Sequence, residues 1–300
     1  MSLEDIVKAL GGELHGRGRA VIPGPGHGPA DRSVSLMVEP GGRLIVHSFG
    51  RSDWREVVDD LRRRRFIDAE NRISGQGIGA GYCAPLRVDA DKISAARALW
   101  RRGVDVACTL SERYIRSRAV LRPLPGPDVL RHVSAAPIRA YDGEGPFFPA
   151  MLAAIRDLAG DLTAVEITYL DSEGGRHKRL RTPKKFIGVV PEGAAVRLDP
   201  LGPDMLVGEG VFTVFSASER FSRPGWALLS TSRMPMWTPP EGVRSVLIAG
   251  DNGRGGRRAA RLLSARLRGL EVHRARVFPD LRFDDFNTEA KWSAVERAPG

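Results

Sequence analysis

Cysteine is nearly missing from this chain: Cys83 and Cys108 are its only two in 300 residues, far apart and without metal-ligand spacing. That excludes a disulfide framework and points to a reducing compartment, the cytoplasm. No run of roughly 18 apolar residues occurs, so no segment is expected to span a membrane. The opening Met1-Ser-Leu-Glu-Asp5 lacks the basic-then-apolar order of a signal peptide. No Gly-x-x-x-x-Gly-Lys-Ser/Thr stretch is present, which excludes a P-loop of that form. Lysine is also scarce, with six of the 46 basic residues. Acidic residues number only 36, leaving a net charge of +10. A GC-rich coding bias would explain arginine in place of lysine but not the sign of the charge. Surplus positive charge suits a polyanion, because neutralising phosphates with Lys and Arg drives nucleic-acid binding.

What is present is organised around two short apolar runs that each stop at a carboxylate. Asp204-Met-Leu-Val-Gly-Glu-Gly210 ends at Glu209, and Val243-Arg-Ser-Val-Leu-Ile-Ala-Gly-Asp251 ends at Asp251. Apolar, β-branched runs of this length bounded by glycine predict central strands of a parallel sheet. Each is followed by a helical pattern, giving strand, helix, strand, strand, helix. In open α/β sheets the ligand crevice lies beyond the carboxyl ends of the strands. Two carboxylates arriving there point to a divalent-metal site, with helix capping as the alternative.

Upstream, Leu3, Ile6, Val7 and Leu10 recur at helical spacing behind Ser2 as a cap. Residues 33–38 and 43–49 predict a hairpin, and a helix carrying Trp54, Val57, Val58 and Leu61 on its apolar face follows Ser52-Asp53, ending in the run Arg62 to Arg65. That places Trp54 in a core. The glycine-rich stretch from Ile73 to Gly81 has no periodicity and reads as a linker. Further helices are expected over 91–102, 111–118 and 150–159, and a hairpin over 163–170 and 176–181. The helix after Gly253 carries Arg254, Arg257, Arg258 and Arg261 on one face, with Ala259, Leu262, Leu263 and Leu267 on the buried side. A helix N-terminus already favours phosphate. Lys178, Lys184 and Lys185 hold half the lysines of the chain. These basic residues are candidate contacts to template or nucleotide, against a merely solvated surface.

Leu206-Val-Gly-Glu-Gly210, Ile248-Ala-Gly-Asp-Asn-Gly-Arg-Gly-Gly256 and Phe283-Asp-Asp-Phe-Asn287 resemble the successive motifs of a Toprim domain of the primase-like kind found in phages and plasmids. The resemblance extends upstream through Thr109 to Arg118, Pro149-Ala-Met151, and Thr168 to Asp171 followed by Gly175, Lys178 and Gly188, covering roughly residues 90 to 290. It implies a template-directed nucleotidyl transferase acting on single-stranded DNA with nucleoside triphosphates, its carboxylates holding Mg²⁺ or Mn²⁺. Glu209 would be the base or a carboxylate of the metal network, Asp251 a metal ligand, and Asp285 with Asp284 further acid. Asn287 would contribute hydrogen bonds. One position departs from the pattern: Gly253 stands where the family has a second aspartate. Mg²⁺ commonly sits on one or two carboxylates plus waters and phosphates, so a weakened single-metal site is expected. A binding-only protein and a Toprim phosphodiesterase are the rival readings.

The N-terminal stretch is similar to the zinc ribbon that opens such primases, without its ligands. Gly24, Ser48 and Arg51 occupy the cysteine positions and only His27 remains. Structural zinc needs four Cys, His or carboxylate ligands, so no zinc is expected there. Phe49 or Trp54 of that stretch would be the side chains to stack a base. The resulting expectation is a multidomain α/β and α+β protein: a degenerate ribbon over 1–65, a linker over 66–90, an α+β primase-core subdomain over 91–200, and a Toprim domain over 201–295 with a Rossmann-like parallel sheet and flanking helices.

Overall fold

The computed structural model describes residues 1–15, 18–28, 31–39, 42–49, 53–74, 89–141 and 143–296. Arg51, Ser52, Cys83, the hairpin turn at 40–41 and most of the glycine-rich stretch lie outside the described residues. The chain divides into two compact units, Met1–Leu86 and Arg87–Gly300.

The first unit starts with α1 (Leu3–Ala9), closed by a capping box in which Ser2 Oγ accepts from the Asp5 N–H and the Asp5 carboxylate accepts from the Ser2 N–H. Strands β1 (Glu13–Leu14), β2 (Arg19–Ile22), β3 (Val34–Val38) and β4 (Leu44–Ser48) form an antiparallel sheet in sequential order. Helix α2 (Trp54–Arg63) is capped by Asp53, whose side chain accepts from the Arg55 N–H. Val57, Val58 and Leu61 pack with Ile6, Ile22, Leu36 and Leu44. Trp54 does not join them. Sitting at the first helical position, it is 47% exposed with the Arg55 guanidinium 4.9 Å from its ring centre. The core expected of it is filled by the next turn of the helix instead. Phe49 is 70% exposed.

Residues 66–74, read from sequence as the start of a linker, fold back onto this unit. Ile67 pairs with Ile73, Arg43 with Arg72, and both isoleucines are buried in the core. The isolated Ile67 and Ile73 are too few to show a period, which is why the segment reads as loop. The arginine run is largely engaged within the fold. Arg63 and Arg64 pair with Asp60 at 2.9 and 2.7 Å, and Arg62 donates to Ala69 O and Asn71 Oδ1. In the place of a zinc-ligand knuckle, Asp31 gathers the turn: its Oδ2 accepts from the Gly24 N–H, the Ser33 hydroxyl and His27 Nδ1. These bonds, Ser33's foremost, hold its carboxyl well below the usual range. The residues present do not fit a zinc ion.

The second unit begins with α3 (Asp89–Arg101) and α4 (Leu110–Ser117), the latter capped by Thr109. Strands β5 (Leu130–Arg139), β6 (Glu144–Arg156), β7 (Leu162–Tyr169) and β8 (Lys184–Gly188) form an antiparallel sheet in that order. Residues 150–156 are therefore strand where the spacing of Met151, Leu152 and Ile155 predicts helix. From Ala150 to Ile155, β6 is buried and apolar on both faces, and a continuous apolar run does not reveal its period. The second arm of the hairpin expected over 176–181 is reduced to one bridge, Leu170 to Arg176. Residues 176–181 offer four basic side chains and little to bury, and ladder pairing resumes at Lys184, in the strand whose Ile187 enters the core.

The remaining strands, β9 (Val196–Arg197), β10 (Asp204–Gly208), β11 (Gly225–Ala227), β12 (Ser245–Ala249) and β13 (His273–Val277), make a five-stranded sheet in the order β13-β12-β10-β11-β9. It is parallel except for the β11–β9 pair. Helices α5 (Val211–Phe221), α6 (Arg254–Gly269) and α7 (Phe286–Glu296) complete it. Side chains alternate along β10: Leu206 packs with Val214 and Phe215 of α5, while Met205 and Val207 pack with Ala259 and Leu263 of α6. The two helices thus cover opposite faces of the sheet. Leu262, assigned above to the buried side of α6, is 47% exposed, and Ala260 takes that place. No helix among the described residues is long and apolar enough to cross a membrane.

Candidate metal centre and nucleic-acid interface

The chain leaves β10 for α5 and β11 on one side of the sheet, then crosses to β12 on the other. The strand order reverses between β10 and β12, and a crevice opens at such a point beyond the carboxyl ends. Glu209 follows β10 directly, and Asp251 follows β12 after one glycine. Neither is a helix cap: the N-cap residues of α5 and α6 are Gly210 and Gly253, and neither helix has a side-chain cap bond. Asp285 does cap, its Oδ1 accepting from the Thr288 N–H at 2.6 Å at the start of α7.

Asp251 feels the charges of Glu209, Asp285 and Asp284. Burial first, then these neighbours, push its carboxyl up to about 7, while the Thr213 hydroxyl, 3.4 Å from its Oδ1, works the other way. Glu209 is likewise raised by burial, opposed by the Lys184 charge and by a hydrogen bond from the Thr231 backbone. Clustered, half-buried carboxylates repel one another, an arrangement that a cation relieves. All the donors are oxygens, the set a hard divalent ion takes. Among the described residues, no three carboxylate, His or Cys side chains stand together at ligand spacing. Holding an ion therefore requires Glu209, Asp251 and the acidic pair 284–285 to close inward. The charge and oxygen chemistry of the cluster fit a hard divalent cation.

Asn252 fixes this geometry. Its Nδ2 donates to the carbonyls of Pro279, Asp280 and Phe283, and its backbone N–H donates to Asp284 O. One side chain thereby ties the acidic 284–285 pair to the Asp251 strand end. Its Oδ1 in turn accepts from Arg257, whose guanidinium lies 4.7 Å from the Phe278 ring centre. Gly256 allows α6 to start so close, because a Cβ there would stand 2.6 Å from Asp251 O. A Cβ at Gly253 would meet nothing within 4 Å. The missing aspartate is thus a matter of sequence and not of space.

The basic candidates separate into three groups. Arg254, Arg258 and Arg261 are exposed along α6, whereas Arg257 is occupied by Asn252 and Phe278. Lys178 is exposed in a turn. Lys184 and Lys185, adjacent on β8, point to opposite faces, as strand period requires. Lys184 reaches Glu166 and the neighbourhood of Glu209, while Lys185 donates to Ile138 O beside the Tyr169 ring. Asn287 is fully buried and donates to Arg118 O and Ser216 Oγ, joining α7 to α4 and α5. Sequence reasoning missed Thr213, the clamp formed by Asn252, and Glu166. Glu166 does carry a signal, as a lone acid inside the apolar run of β7.

Residues 204–291 match the model of the Toprim domain, so the second unit carries a Toprim domain. Residues 90–198, immediately before it, match a domain of unknown function, DUF7146. Among curated proteins none matches the sequence. Solved structures similar to the chain include the Aquifex aeolicus primase, zinc binding and RNA polymerase domains, at 14% identity over 99% of this chain and 82% of that one, TM-score 0.43. The DnaG catalytic core is similar at 15% identity over 68% of this chain and 77% of that one, TM-score 0.45. The primase fragment of the bacteriophage T7 primase-helicase follows at 16% identity, 57% of this chain and 66% of that one, TM-score 0.38. The chain therefore carries a Toprim domain within a mixed α/β, multidomain architecture.

Proposed function

We propose that this protein is a metal-dependent nucleotidyl transferase of the primase kind, working on single-stranded DNA with nucleoside triphosphates in phage- or plasmid-type replication. The observation that carries the reading is the gathering of Glu209, Asp251, Asp284 and Asp285 at the switch point of the parallel sheet. Glu209, Asp251 and Asp285, with Asp284 beside them, would hold a divalent cation, which when bound neutralises triphosphate oxygens and activates a primer hydroxyl. As the alternative to ligating the ion, Glu209, which accepts a hydrogen bond from the Thr231 backbone, would take the proton of that hydroxyl. Lys184, from the adjoining sheet, offers an ammonium to the triphosphate. Exposed Arg254, Arg258 and Arg261 continue along α6 as a track for the template backbone, and Lys178 is a further phosphate contact. Phe49 and Trp54 of the first unit offer exposed rings for unpaired bases. Such a protein works in the cytoplasm alongside a separate helicase.

One observation favours a second reading. Gly253 removes a carboxylate and, among the described residues, no three acids stand at ligand spacing, which fits a Toprim fold that would bind nucleic acid without chemistry. Incubation with single-stranded DNA, labelled nucleoside triphosphates and Mn²⁺ separates the readings. Short products from the wild type that vanish in Asp251→Ala support the transferase, shortened template supports a phosphodiesterase, and binding without either supports the inactive protein.

A further inference from the structure

Glu166 is a buried carboxylate for which the scheme above has no use. It lies in the middle of β7 with 3% of its surface exposed, and its ion-pair partner is Lys184, at 3.0 Å from Nζ to Oε2. The register explains the meeting. Glu166 stands opposite Phe186 and Thr168 opposite Lys184, so Glu166 and Lys184 are diagonal neighbours on one face of the sheet. Ala164 of that face packs in the same core as Val211 and Phe215 of α5, which places Lys184 on the side where Glu209 stands. Its charge acts on Glu209, so one ammonium serves two carboxylates, one inside the acidic cluster and one outside it. Burying a carboxylate is costly unless it is paired, and an apolar residue would fill the interior of β7 at no such cost. Glu166 also restrains a long, flexible side chain that otherwise keeps its rotamer freedom.

We infer that Glu166 is a positioning residue: it anchors Lys184 so that the ammonium is held on the Glu209 flank of the carboxylate cluster, ready to meet a phosphate oxygen of a nucleoside triphosphate. The anchoring stands on the ion pair and the register. The triphosphate contact rests on the transferase reading, and two separate measurements keep the two apart.

The first is limiting acetylation of the folded protein, read at each lysine by mass spectrometry. Glu166→Gln keeps the shape of the side chain and removes its charge. It should raise labelling of Lys184 roughly tenfold relative to Lys92 and Lys291, the weight of one charge-assisted hydrogen bond. Unchanged Lys184 labelling overturns the anchor. The second is calorimetric binding of MgATP. Glu166→Gln should weaken it roughly tenfold although Lys184 is intact. Lys184→Met should weaken it at least as much, and adding Glu166→Gln to Lys184→Met should change it no further while restoring the melting temperature that Lys184→Met loses. A purely structural pair would shift the melting temperature and leave MgATP affinity at the wild-type value, which overturns the positioning role. If Glu166→Gln does not fold, Glu166→Asp keeps the charge but draws it back by one methylene, and must also lower MgATP affinity. Absence of MgATP binding in the wild type would defeat the transferase reading, and the labelling would still decide the anchor.

Discussion

Placing aspartate at position 253 tests the metal site through a change of sign. Gly253 is the N-cap of α6, with extended φ −62° and ψ 157° and open space around its absent Cβ, so the side chain enters without strain. Without metal it acts in two opposing ways. As a capping carboxylate at a helix N-terminus it contributes roughly 0.5–1 kcal/mol. As a new neighbour of Asp251, about 7 Å from another charge at an effective dielectric of about 20, it costs about 2 kcal/mol. The net loss of about 1 kcal/mol lowers the melting temperature of the metal-free protein by roughly 2–4 °C for a domain of this size. With Mn²⁺ the same carboxylate becomes a ligand. If it tightens binding by even tenfold, about 1.4 kcal/mol at saturation, the variant then melts at or above the wild type. Scanning calorimetry with chelator and with excess Mn²⁺ reads both values. A shift of equal size and sign in both conditions would mean that position 253 is only a helix cap, and would refute the reasoning.

Further expectations follow from single residues. Asn252→Ala should lower stability by about 2 kcal/mol, since it removes the donor shared by the part-buried carbonyls of Pro279 and Phe283, and should weaken Mn²⁺ binding although Asn252 itself is no ligand; thermal melts and titration read the two. Arg254→Ala and Arg258→Ala should each flatten the log–log salt dependence of single-stranded DNA binding by about 0.7. Arg257→Ala should instead lower the melting temperature, because its guanidinium is occupied by Asn252 and Phe278. Trp54→Ala should weaken single-stranded DNA binding by about 1–3 kcal/mol if its ring stacks a base, with an unchanged melting temperature, as an exposed ring contributes little to the core. Elemental analysis should find no stoichiometric zinc, and Asp31→Ala should destabilise the first unit, because Asp31 holds Gly24, His27 and Ser33 together.

The two central strands β10 and β12 were legible because each is short and apolar and runs into a glycine and a carboxylate, whereas β13, His273-Arg-Ala-Arg-Val277, is polar and carries no such signal. A motif of adjacent residues such as Asp251-Asn252 can be read directly. A cross-strand pair such as Glu166 and Lys184 cannot, since it depends on a register that no local pattern sets. The same limit explains β6. Ala150 to Ile155 is apolar on both faces, so helical spacing can be found in it by chance. Trp54 fits its helix stripe but lies where that stripe has nothing left to cover. The two lysines of β8 look equivalent in sequence, and only the strand period sends Lys185 to Ile138 and Lys184 toward Glu209.

The central claim, that the carboxylates at the strand ends form a divalent-metal centre, is tested most directly by titrating Mn²⁺ into the wild type and Asp251→Ala and following the bound ion by its paramagnetic resonance. The account predicts one weakly held ion per wild-type chain and none at that affinity in Asp251→Ala. Identical binding curves for the two proteins would contradict it.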